Sequence, residues 1–229
     1  MNLISQIQLI YYMHYTKHTK QEYLYKLKDI TSMSVNVDDI RKVVGGYGYD
    51  SRKLAEGKRL AEGLERLNSE VAKQSLVKKR MFAEKKRVQN EVHKKYMKFL
   101  KLSRIAFSDD VEAQGALLLT GARARTYEKW MTQVSVFVDN LLVNRKYIKT
   151  LEGFGVSCKE IEDVKVRLKQ LNALSSECVK ITGVVRMLNH KVKKDTVVMQ
   201  HWISSYIKVA RIAMEENPKV GKLIKQVIG

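Results

Sequence analysis

The chain repeats itself at a fixed offset, and a repeat constrains a fold before any local reading does. Gly46-Tyr47-Gly48-Tyr49 recurs as Gly153-Phe154-Gly155-Val156, 107 residues later. Phe99-Leu100-Lys101-Leu102-Ser103-Arg104-Ile105-Ala106-Phe107 recurs as Tyr206-Ile207-Lys208-Val209-Ala210-Arg211-Ile212-Ala213-Met214 in the same register. Between these anchors Leu64 matches Leu171, Leu67 matches Leu174, Val71 matches Cys178 and Lys73 matches Lys180. The boundary recurs as well, Ser108-Asp109-Asp110 answering Glu215-Glu216-Asn217-Pro218. The expected division is an N-terminal extension over 1–19, a helical bundle over 20–110, a connection over 111–125 and a second bundle over 126–229.

The patterning is helical throughout. Tyr127, Met131, Val134, Val138, Leu141, Ile148 and Leu151 fall on one face of a helix that the Gly153-Phe154-Gly155 elbow stops. Ser157 with Glu160 forms a capping box, so a second helix starts there. Its apolar seam, Ile161, Val164, Leu168, Leu171, Leu174, Cys178, Ile181, Val185, Leu188 and Val192, keeps the three-four spacing of bundle packing. A third helix carries Met199, Ile203, Tyr206, Val209 and Ala213, matching Val92, Tyr96, Phe99, Leu102 and Ala106, with Asp195-Thr196 as its cap. No breaker separates the second and third helices between about Ser75 and Val88. An uninterrupted helix there would run about 57 residues, roughly 85 Å, which a compact bundle disfavours, so a tight turn is expected. Val35-Asn36-Val37-Asp38-Asp39 invites a break in the first helix. Gly115 and Gly121 mark bends in the connection around Ala116-Leu117-Leu118-Leu119.

The fold class is therefore all-α, two tandem homologous helical bundles. Composition agrees: one Pro and twelve Gly in 229 residues leave few turns for a sandwich or a βαβ enzyme, and two Cys exclude a disulfide scaffold. With 45% hydrophobic residues the chain has ample core. The endings Lys101-Leu102-Ser103-Arg104-Ile105-Ala106 with Asp109-Asp110, and Tyr206-Ile207-Lys208-Val209-Ala210-Arg211-Ile212-Ala213 with Asn217-Pro218, resemble those of repeats in uncharacterised bacterial proteins built from two similar all-helical bundles. The resemblance covers most of residues 20–225. It implies fold and leaves function open, because its motifs are packing and capping residues.

Charge is the feature that bears on partners. The chain carries 43 Lys and Arg against 24 Asp and Glu, a net charge of +19. Residues 73–107 hold a balance of +10 and residues 180–214 a balance of +6, so nearly all the excess belongs to one structural element in each copy. Basic helices attract polyanions through counterion release, without sequence readout. The expected contacts are Lys78, Lys79, Arg80, Lys85, Lys86, Arg87, Lys94, Lys95, Lys98 and Lys101, with support from Lys191, Lys193, Lys194 and Lys208. Tyr96, Phe99 and Trp202 lie among these charges, where exposed aromatics stack on bases, yet their spacing matches the buried seam, and core is the expected role.

The other chemistries weigh less. The Met1–Met13 stretch is apolar in tone but broken by Ser5, Gln6 and Gln8, with no basic residue before it, and reads as no signal peptide. No run reaches the roughly 20 apolar residues of a membrane span, and the amphipathic faces are engaged by packing, which puts a lipid surface behind nucleic acid. A reducing cytoplasm is the expected compartment. His14 and His18 share a helical face but lack a carboxylate or thiol to complete a metal site, and His190 and His201 are eleven residues apart. Cys158 sits in a first helical turn, where a dipole lowers a thiol pKa, but no His is near it in sequence, and Cys178 lies on the seam. The glycine elbows lack the Gly-Lys-Ser or Gly-Lys-Thr ending of a phosphate loop. Arg104 and Arg211 are expected to pair with nearby acids of their own helices. No cofactor or metal is expected. The reading is a non-enzymatic binding or scaffold protein whose basic face engages nucleic acid or another polyanion; the alternative is a scaffold for an acidic protein.

Overall fold

The computed structural model describes residues 13–217. Residues 1–12 and 218–229 lie outside that range, and with them most of the apolar opening stretch, Pro218, and the side chain of Met214. Among the described residues there are seven α-helices and no strand: α1 Lys20–Asn36, α2 Asp38–Gly45, α3 Ser51–Ala106, α4 Val111–Ala116, α5 Tyr127–Val143, α6 Arg145–Glu152 and α7 Cys158–Glu216.

Local chemistry sets most of these boundaries. Thr19 and Glu22 open α1 with a reciprocal capping box, the Thr19 amide donating to the Glu22 carboxylate at 2.8 Å. The helix ends at Asn36, inside the stretch where a break is expected, and Val37 turns the chain into α2. The expected capping box also opens α7, with the Ser157 amide donating to Glu160 at 3.0 Å and the Glu160 amide donating to the Ser157 hydroxyl at 3.3 Å. Both glycine elbows reverse the chain through a left-handed residue, Gly48 at φ 84° and Gly155 at φ 73°, a conformation that a side chain resists.

Three expectations are corrected. The helix expected over 127–151 is two helices, because Asn144 leaves the helical conformation and its side chain accepts from the Lys146 amide at 3.0 Å. The turns expected between the second and third helices are missing: α3 runs unbroken for 56 residues and α7 for 59. Asp195-Thr196 is accordingly no cap. The Thr196 hydroxyl donates back to the Val192 carbonyl at 2.8 Å inside α7.

The third correction concerns the lobes. The chain forms two compact units, one comprising residues up to Ser75 together with those from Val184 onward, the other Leu76–Gly183. The stretches 20–110 and 126–229 therefore do not each fold on themselves. The first unit takes α1, α2, the opening part of α3 and the closing part of α7; the second takes the closing part of α3, then α4, α5, α6 and the opening part of α7.

Each unit has its own core. In the first, Leu27, Ile30, Ile40, Val44, Leu54 and Leu64 pack with Met199, Ile203, Tyr206 and Ile207. In the second, Val92, Tyr96, Phe99 and Leu100 pack with Val134, Phe137, Leu141, Leu151, Ile161, Val164 and Leu171. Each such side chain contributes about 1.5–3 kcal/mol on burial. The connection also serves the second core, since α4 is capped by the Asp110 carboxylate on the Ala113 amide at 2.9 Å and delivers Leu117 and Leu119 into it. Gly121 bends the chain at φ 83°, as expected, whereas Gly115 lies within α4.

Candidate polyanion-binding surface

The charge-rich part of α3 is also the part with no core. Between Leu76 and Arg87 no residue is buried, although Val88 and the positions after it are. A helix has its apolar stripe where it packs, and here the stripe is interrupted by two basic triplets and a single carboxylate, Glu84. Lys78, Lys79, Arg80, Lys85, Lys86 and Arg87 are thereby brought onto one coreless stretch.

Their surroundings divide them. Lys79, Arg80 and Lys86 are exposed and make no ion pair among the described residues. Lys78 holds its ammonium 5.8 Å from the centre of the Phe82 ring, and Lys85 stands 3.9 Å from the centre of the Tyr127 ring. Arg87 is occupied twice, gripping Glu84 at 2.6 and 2.9 Å and Glu91 at 2.5 Å. That grip raises the Arg87 guanidinium above its ordinary pKa and lowers that of Glu84.

Farther along α3 the cations face carboxylates of α7. Lys95 pairs with Asp163 at 2.6 Å and Lys98 with Glu160 at 3.7 Å. Arg167 joins them, reaching Glu91 at 2.6 Å and Asp163 at 2.9 Å. Hydrogen bonds from Lys95 and Arg167 hold the Asp163 carboxyl below the usual aspartate range. An open hollow of about 700 Å³ is lined by Arg87, Glu91, Lys94, Lys95, Lys98 and Arg167. Its positive charge is largely answered from within, which weakens its pull on an outside anion. Lys94 and Lys101 remain exposed on the same helix.

The cations expected from the C-terminal half belong to the first unit, where Lys191, Lys193, Lys194 and Lys208 are exposed on α7. Tyr96, Phe99 and Trp202 are 1%, 0% and 8% exposed and can stack on no base. The aromatic that stands among the cations is Phe82, 45% exposed. Lys79, Phe82 and Lys86 follow at three- and four-residue spacing and so share one face of α3. Pattern reading passed over Phe82, although a signal was there: its neighbours at that spacing, Lys78, Lys79, Lys85 and Lys86, are all basic, so no seam continues through it.

Several of the remaining sequence candidates are engaged in structural contacts. His14 caps a short 3-10 turn, its Nδ1 lying 2.7 Å from the Thr16 hydroxyl. Among the described residues no three His, Cys, Asp or Glu side chains gather as metal ligands. The Cys158 thiol lies 3.8 Å from a Glu162 carboxylate oxygen, and desolvation together with that charge pushes its pKa up, the reverse of helix-dipole activation. Cys178 is buried. Arg104 pairs with no acid of its helix and donates instead to the Leu119 carbonyl at 2.8 Å, bracing the connection. Partial burial lowers the Arg211 pKa. Among the described residues no helix is long and apolar enough to cross a membrane.

No protein-family model, curated protein or solved structure matches this chain.

Proposed function

We propose that this is a non-catalytic cytoplasmic protein that binds nucleic acid through residues 78–86 of α3, without base-specific contacts. The observation that carries the reading is the exposed stripe Lys79, Phe82 and Lys86 with Arg80 beside it, on a helical stretch whose side chains serve no core. Phosphates meet the three unpaired cations, and a base stacks on the Phe82 ring, which every base offers a face to. Duplex hides those faces, so single strands bind tighter.

The same reading includes a duplicated chain. Supporting it, α1 and α5, α2 and α6, and α3 and α7 each begin 107 residues apart. Both elbows bond alike, Tyr49 to Val44 and Val156 to Leu151, each at 3.1 Å. Between the parts of α3 that serve the two cores, the stretch 76–87 has no buried residue, and that is where the cations stand.

Fluorescence anisotropy of labelled single-stranded and duplex oligonucleotides across a salt series tests the function. The expected result is binding that falls steeply with salt, with Phe82→Ala removing the preference for single strands. Exposed Leu76 and Val77 beside the cations favour one other reading, an acidic protein with an apolar contact. Absence of binding at low salt together with a co-purified acidic partner would select it.

A further inference from the structure

The face of α3 that carries Lys79, Phe82 and Lys86 continues past them. Gln89 and His93 keep the same three- and four-residue spacing, Gln89 half-buried and His93 exposed. Phe82 and His93 are eleven residues apart. That interval is close to three full turns, so both rings stand on one side of the helix, about 17 Å apart along its axis.

The His93 ring is supported and still accessible. Its centre lies 6.2 Å from that of Trp130 at a tilt of 46°, and Trp130 is itself buried, so α5 backs the ring. No side-chain hydrogen bond or ion pair among the described residues occupies its nitrogens. The carboxylates of this part of α3 point elsewhere. Glu84 and Glu91 each sit two residues from one of the two rings, which is about 160° round the helix. Arg87 holds both there, at 2.6 and 2.5 Å. Lys86 stands between the rings, exposed and paired with no acid among the described residues. Ring, cation, ring is the order in which a strand presents base, phosphate and base.

We propose that His93 is a second base-stacking position, so that the strand runs along α3 from Phe82 to His93 with phosphate on Lys86. This rests on the nucleic-acid reading of the stripe and adds the size of the ligand. Stacked bases rise about 3.4 Å along one strand, so the two rings are about five stacked steps apart, and fewer in an opened-out strand. The ligand is therefore an unpaired stretch of about four to six nucleotides, and a free mononucleotide reaches only one ring.

Fluorescence anisotropy of the full chain at low salt tests it, with labelled decathymidylate and a labelled abasic strand of equal length and equal phosphate count. His93→Ala is expected to weaken decathymidylate about fivefold or more and to leave the abasic strand within about twofold, because only a base can use the ring. His93→Phe keeps the parent's affinity for decathymidylate, and Phe82→Ala repeats the His93→Ala pattern. If the parent binds neither strand, the nucleic-acid reading and this inference fall together. If the parent binds and Phe82→Ala weakens decathymidylate while His93→Ala changes nothing, this inference falls alone. It also falls alone if His93→Ala weakens both strands equally, the mark of a side chain that supplies charge or props Trp130 without meeting a base.

Discussion

The Trp202 indole lies directly against Gly57: a Cβ built on Gly57 would stand 2.1 Å from the nearest ring atom. The two residues come from α3 and α7 and belong to the same core, with the ring stacked on Tyr206 at 5.3 Å between centroids. Gly57→Ala must displace a packed ring, and a loss of about 1–3 kcal/mol is expected. Gly63, in the same helix, has open space where its Cβ would be. Gly63→Ala should stabilise by about 0.5–1 kcal/mol, since alanine is the better helix former. Denaturant melts of the two variants check the opposite signs.

The long helices are opened by different residues at matching positions. Asp50 accepts from the Lys53 amide at 2.8 Å, and Ser157 accepts from the Glu160 amide at 3.3 Å. Asp50→Ala and Ser157→Ala should each cost about 1 kcal/mol. Similar losses measured by thermal unfolding fit equal capping roles; an indifferent Asp50→Ala would contradict them.

Acid should loosen the second unit through Asp163. Its pKa is depressed below the ordinary 3.8 by hydrogen bonds from Lys95 and Arg167. A depressed carboxyl contributes stability that is present above the ordinary value and lost as pH falls through the folded value. Asp163→Asn should therefore be less stable than the parent at pH 7 by about 1 kcal/mol or less, the pair being well exposed. The gap should close as the pH is taken progressively below 3.8. Thermal melts of both proteins as a function of pH measure it.

Much of this was legible in the sequence. The seam from Ile161 to Val185 is buried apart from half-buried Leu174, and the Ser157 box forms. Three things were not. Asn144 sits inside a run of apolar period, and its capping role shows only once its side chain turns back to the Lys146 amide. An apolar stripe does not say which segment it packs against; α3 contributes to both cores, which removes the objection to a 56-residue helix. The location of the charge was readable, but its availability was not. Lys95 and Lys98 are engaged by Asp163 and Glu160 from a distant helix, 68 and 62 residues away in sequence, which no local pattern reports.

That distinction between engaged and unengaged cations is what the functional account rests on. Affinity for a labelled single strand at fixed low salt, compared between Lys79→Glu with Lys86→Glu and Lys95→Glu with Lys98→Glu, tests it most directly. The account predicts that the first pair loses binding by at least about tenfold and flattens the salt dependence, and that the second, whose partners already neutralise it, loses several-fold less. Equal losses from both pairs, or a greater loss from the second, would contradict it.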